Sequence, residues 1–145
     1  RQEARIAFQK SRDNLLFISG ICLYWGEGDK RLSNGVVRLS NVDLRLLRVF
    51  RRFLVHSLNV PPAKLRAWIL LYEGMTEQPC KTYWAHGLRL PPSQFLKSQV
   101  IKSRSKRRTT AYGVCTLQIN SSELKRKILA WIEECSTMLQ HAGIV

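Results

Sequence analysis

Acidic side chains are scarce in this sequence. Ten Asp and Glu stand against 24 Lys and Arg over 145 residues, giving a formal charge of +14 and a pI of about 10.3. A surplus that large favours a polyanionic partner through counterion release. Nucleic acid is the first candidate, with an acidic protein, an anionic membrane surface or a merely solvated cationic face as the alternatives. Metal-ligand clusters are missing too. Cys22, Cys80, Cys115 and Cys135 lie far apart without a CxxC spacing, and His56, His86 and His141 are scattered. That excludes a zinc site or a disulfide framework as a sequence-level reading, and leaves the cysteines as free, mostly buried thiols of a reducing compartment. Long apolar runs are also lacking. The longest, Leu15 to Trp25, falls short of the roughly 20 residues needed to span a bilayer. It is followed by Glu27, Asp29 and Lys30 rather than by a cleavage site, so no signal peptide is expected. The stretch GEGDKRLSNG has no phosphate-loop pattern, and no Ser–His–Asp set can be assembled from spacing. We expect a cytoplasmic, nucleoid-associated protein without membrane contact. The start at Arg1 rather than Met reads as a fragment of a longer chain.

What is present is an ordinary core-forming chain, 45% apolar, of a length that suits one domain. Residues 1–13 read as a helical lead-in to a single domain over 14–145. Asn14 to Glu27 reads as a helix stopped by Gly28. Gly35 to Asn41 reads as a strand, and Asn41 as the cap of a helix whose stripe is Leu47, Phe50, Leu54 and Leu58. Arg45, Arg48, Arg51 and Arg52 occupy another face of that helix, remote from a DNA surface. Arg66 to Met75 reads as a strand and Glu77 to Leu88 as a helix. Gln99 to Arg104 and Ala111 to Asn120 read as strands around a basic loop. The last helix, capped by Ser121 or Ser122, buries Leu124, Ile128, Trp131, Ile132 and Cys135. Trp25, Tyr72, Tyr83, Trp84 and Trp131 look like core. The order predicts an α+β chain, with an antiparallel sheet packed by helices.

On the first long helix, Leu16, Gly20, Leu23 and Glu27 fall at i, i+4, i+7 and i+11 and share one stripe, with Gly20 permitting a close crossing. Gly20 to Gly28 reads GICLYWGEG. This resembles the LAGLIDADG motif in the LYWGEG form found in small bacterial and archaeal members of that homing-endonuclease family. The resemblance extends through SNVDLRLLRVFRRFL, LLYEGMTEQPCKTYWAHGLRLPPSQF and YGVCTLQINSSELKRKILAWI, roughly residues 14 to 133. The chain departs from the motif at Cys22, where a glycine is usual, at Trp25, and at Glu27, where Asp is common. The resemblance implies a saddle-shaped antiparallel sheet. It implies that Glu27 is both catalytic residue and metal ligand, holding Mg²⁺ or Mn²⁺, which as hard cations take oxygen ligands. Because only one motif is found, the resemblance also implies a homodimer meeting through Leu16, Gly20, Leu23 and Tyr24 on pseudo-palindromic double-stranded DNA. The structural alternatives are that Glu27-Gly28 merely closes a buried helix, and that the stripe packs inside a monomer.

The basic residues suggest where DNA lies. Lys97 to Arg108 holds Lys97, Lys102, Arg104, Lys106, Arg107 and Arg108 and no acid. Lys102, Arg104, Lys106 and Arg108 alternate, so an extended ribbon aims all four the same way and suits a major groove. A floppy loop supplies charge alone. Thr116 and Gln118 share a strand face opposite Cys115, Leu117 and Ile119. Arg38 and Ser40 alternate similarly against Val37 and Leu39, and Arg66 starts the next strand. These are candidate base or phosphate contacts, with plain solvent exposure as the alternative. The family implies a lysine near the scissile phosphate, and Lys97, Lys102 and Lys106 are the candidates. Two rival readings follow: a transcriptional regulator of the same fold that has lost cleavage, and an RNA-binding, maturase-type protein.

Overall fold

A computed structural model describes residues 2–102 and 110–142. Its elements run α1 (Gln2–Ser11), α2 (Leu15–Glu27), β1 (Val36–Asn41), α3 (Leu44–Arg52), β2 (Arg66–Tyr72), α4 (Glu77–Leu88), β3 (Gln99–Ile101), β4 (Val114–Asn120) and α5 (Ser122–Gln140). The chain is mixed α+β, with the four strands in the order β1-β4-β2-β3. β4 pairs antiparallel with both β1 and β2, setting Leu39 opposite Leu117 and Trp68 opposite Thr116. β2 and β3 run parallel, Leu70 opposite Gln99. The sheet is therefore mixed rather than wholly antiparallel. α4 intervenes between β2 and β3 and carries the chain back to the end where β2 began, and a return of that kind yields a parallel neighbour.

β1 and β2 bury alternate residues, whereas β4 in the middle of the sheet is buried without a break from Cys115 to Ile119 and the edge strand β3 is exposed throughout. Val37 and Leu39, Ala67, Ile69 and Leu71, and Cys115, Leu117 and Ile119 face the helices and join one core. The opposite face carries Val36, Arg38 and Ser40 of β1, Arg66, Trp68, Leu70 and Tyr72 of β2, and Thr116 and Gln118 of β4. The lead-in helix joins the same core: Ala4 and Phe8 are buried, and Trp131 Nε1 donates to the Ala4 carbonyl at 2.9 Å. None of the described helices is long and apolar enough to cross a membrane.

Helix ends follow local chemistry. Asn14 caps α2, its side chain accepting from the Phe17 N–H, and Ser121 caps α5 through the Leu124 N–H. Asp43 rather than Asn41 caps α3, accepting from the Arg45 N–H. Asn41 stays in β1, and its Oδ1 accepts from the Asp43 N–H to close the turn between the two elements. After Arg52 the α3 backbone widens into a π turn over Phe53–Ser57, and the Leu58 N–H bonds the Phe53 carbonyl at 3.1 Å. The widening brings adjacent Phe53 and Leu54 both into the core. Phe53 lies directly over Gly20, where a Cβ would sit 2.0 Å from the ring.

Candidate nucleic-acid interface

Glu27 ends α2 and is exposed. Its Oε1 accepts from Asn41 Nδ2 at 3.2 Å, so the last residue of β1 orients the carboxylate. The chain then turns to run beside β1, with Gly28 bridged to Leu39 at the free edge of the sheet. A lysine sits here that spacing did not single out. Lys30 Nζ donates to the Trp25 carbonyl at 2.9 Å and to the Gly28 carbonyl at 3.2 Å, placing a cation on the carbonyl end of α2 on both sides of Glu27. Asn41 and Lys30 were missed because neither lies at motif spacing. Only the turn after α2 brings them to Glu27.

A buried polar knot fixes that turn. Tyr24 is wholly enclosed; its hydroxyl donates to the Asp29 carbonyl and accepts from the Arg38 N–H. Burial pushes the Tyr24 phenol up to about 12. Asp29 pairs with Arg38 at 3.2 Å and Arg31 at 3.3 Å, and accepts from Asn34 Nδ2 at 2.8 Å. Lys125 of α5 is completely buried beneath it, donating to the Val36 carbonyl at 2.6 Å and to Asn34 Oδ1 at 3.1 Å. Burial alone would raise the Asp29 carboxyl, but hydrogen bonds from Arg31 and Asn34 and the Lys125 charge outweigh it and hold the group far below the ordinary carboxylate range. Burial likewise lowers Lys125, against the opposing pull of Asp29.

The outer sheet face gathers Arg38, Ser40, Arg66, Thr116 and Gln118, as alternation requires, but most of their polar atoms are engaged. Ser40 and Thr116 hydroxyls share a hydrogen bond of 2.5 Å, and Thr116 is 1% exposed. Gln118 is also buried, its Oε1 accepting from Trp68 Nε1 at 2.9 Å. Thr116 and Gln118 therefore back the surface and do not present free edges; Ser40 and half-buried Trp68 stand over them. Trp68 went unnoticed because β2 is apolar without a break from Ala67 to Leu71, which hides which of those residues face outward. Arg66 folds onto the Ala63 and Leu65 carbonyls, both at 2.8 Å. Lys97 and Lys102 are exposed beside β3. Arg104, Lys106, Arg107 and Arg108 lie outside the described residues, as does the ribbon expected of them.

The residues expected at a dimer contact divide. Gly20 and Tyr24 face inward, Gly20 under Phe53 and Tyr24 stacked on Phe50 at 5.8 Å, so the close approach at Gly20 is made within one chain. Leu16 and Leu23 are half-buried against the core. Besides Glu27, the open positions of α2 are Leu15, Trp25 and Gly26; Ser19 and Cys22 between them are half-buried, the Cys22 thiol lying 3.8 Å from that of Cys135. Leu15 is 83% and Trp25 40% exposed, which removes Trp25 from the core, and a Cβ at Gly26 would meet nothing within 4 Å. A groove of about 640 Å³ runs between α2 and α3, lined by Ser19, Cys22, Leu23, Leu46 and Val49 and by the ion pair of Asp43 and Arg45.

Among the described residues no three His, Cys, Asp or Glu side chains converge. Glu27 offers one carboxylate, a donor that suits Mg²⁺, which is commonly held by one or two carboxylates together with water and substrate phosphates. No protein-family model, curated protein or solved structure matches this chain.

Proposed function

We propose that this chain binds double-stranded DNA as a homodimer and hydrolyses it with Mg²⁺ or Mn²⁺, in the manner of the LAGLIDADG homing endonucleases that its sequence resembles. The observation that carries the reading is Glu27: an exposed carboxylate at the open end of α2, at the free edge of the sheet, beside exposed Trp25 and Gly26. A second copy laid against Leu15, Trp25 and Gly26 would bring a second Glu27 toward the first and extend the sheet surface across the pair. Gly26 suits such a crossing because it lets another backbone approach. Bound there, a divalent cation would polarise the scissile phosphate and lower the pKa of an attacking water. Glu27 would hold the ion, Asn41 orients Glu27, and Lys30 keeps the end of α2 from fraying. Lys97 and Lys102 supply phosphate contacts, with Ser40 and Trp68 toward the bases, while Arg38 and Arg66, engaged by Asp29 and by backbone carbonyls, add positive potential to the face.

One observation favours a second reading, binding without cleavage: each chain brings a single acid to the site, and that acid already has a partner in Asn41. The two readings separate on Glu27→Gln. The nuclease predicts duplex cleavage in Mg²⁺ that falls by at least about a hundredfold in the variant while duplex affinity holds within about threefold. Tight duplex binding with no cleavage in Mg²⁺ or Mn²⁺ by the unaltered protein would refute the nuclease and leave the regulator. A preference for structured RNA over duplex DNA would overturn both.

A further inference from the structure

Away from Glu27, a groove of about 960 Å³ opens between α3 and α4, and its lining includes Arg48, Tyr83, His86, Arg89 and Tyr112 but no Asp or Glu. Its walls are held in place. Gly87 lets the helices close, since a Cβ there would lie 2.5 Å from Leu44. Tyr83 and Tyr112 stack with centroids 3.8 Å apart and planes 3° from parallel. Trp84 Nε1 fixes the strand-side member by donating to the Tyr112 carbonyl at 2.8 Å. Tyr112 is 38% exposed, the outer ring of the pair.

The cations here lack counter-charges. Among the described residues the two arginines of the lining, Arg48 and Arg89, form no ion pair and no side-chain hydrogen bond. Both are exposed, so an incoming anion would meet their charges unopposed by any carboxylate of the groove. Arg89 itself ends α4 at φ 53, a left-handed position that glycine fills without strain.

We propose that this groove binds a nucleotide unit, its phosphate between Arg48 and Arg89 and its base stacked on Tyr112. Guanidinium groups meet phosphate with charge-assisted hydrogen bonds, and an exposed tyrosine face accepts any base. The site is independent of the sheet surface, so it stands or falls apart from the proposed duplex binding.

Calorimetric titration of the full chain with adenosine 5′-monophosphate tests it, with adenosine and inorganic phosphate titrated separately. The expected result is saturable binding of one nucleotide per chain, with adenosine and phosphate each at least about tenfold weaker. Arg89→Gly should weaken the nucleotide by about tenfold or more while the melting temperature holds or rises, because glycine takes the left-handed turn freely. Arg48→Gln, on the exposed wall, should weaken it to a similar degree, and Lys10→Ala at the exposed end of α1 should change nothing. Heats that never saturate, phosphate binding as tightly as the nucleotide, or affinity unchanged in both groove variants would each overturn the proposal.

Discussion

Asp29 ties the end of α2 to β1, and its chemistry sets how the fold answers acid. It is 11% exposed at the side chain and bound by Arg38, Arg31 and Asn34, over the buried Lys125. A carboxylate whose pKa is depressed on folding stabilises the fold above its unfolded pKa of about 3.9, and that stability drains away as pH falls below it. Urea unfolding followed from pH 7 to pH 2 should therefore show a steep acid limb below about pH 4. Asp29→Asn should cost about 2 kcal/mol at pH 7 and flatten that limb. An unchanged limb would show that other carboxylates carry it. None of this was legible in the sequence, where Lys125 looks like one more surface lysine of the basic run Lys125 to Lys127. Its burial arises because α5 lays that position against the turn at Asn34, a contact 91 residues away in the chain.

At the scale of elements, the order of helices and strands was legible, because apolar spacing and caps are local properties. Glu77–Leu88 forms the helix its sequence predicts, and Ser121 caps α5. The parallel pairing of β2 with β3 was not legible, since strand direction depends on how α4 packs. Which positions of α2 face outward was not legible. With Phe17, Ile21 and Tyr24 all apolar and equally suited to a core, hydrophobicity around this helix has almost no preferred side. The structure turns Gly20 inward and Gly26 outward, and the two glycines make a paired test. Gly20→Ala would drive a methyl into the Phe53 ring and should destabilise the fold by about 2 kcal/mol or more. Gly26→Ala meets empty space in one chain and should stabilise the isolated protomer by up to about 1 kcal/mol through helix propensity. If α2 is the dimer contact, that same Gly26→Ala should shift sedimentation toward monomer. A variant that is both more stable and equally dimeric would place the contact elsewhere.

For the whole molecule, charge was the most legible property and its placement the least. The +14 surplus is visible in composition. Which cations are free is not, because it depends on Asp29 engaging Arg38 and on backbone carbonyls engaging Arg66. Lys97 and Lys102 stay exposed beside β3, at one border of the outer sheet face, where the proposed duplex would lie. Removing a single lysine–phosphate contact lowers the salt dependence of affinity by about 0.9 in log–log slope. The decisive measurement is duplex affinity against salt concentration for the unaltered chain and for Lys97→Ala/Lys102→Ala. DNA held on the outer sheet face predicts a steep slope that falls by about 2 in the double variant, with affinity reduced evenly across sequences. A slope left unchanged by both substitutions would contradict the placement of nucleic acid on that face.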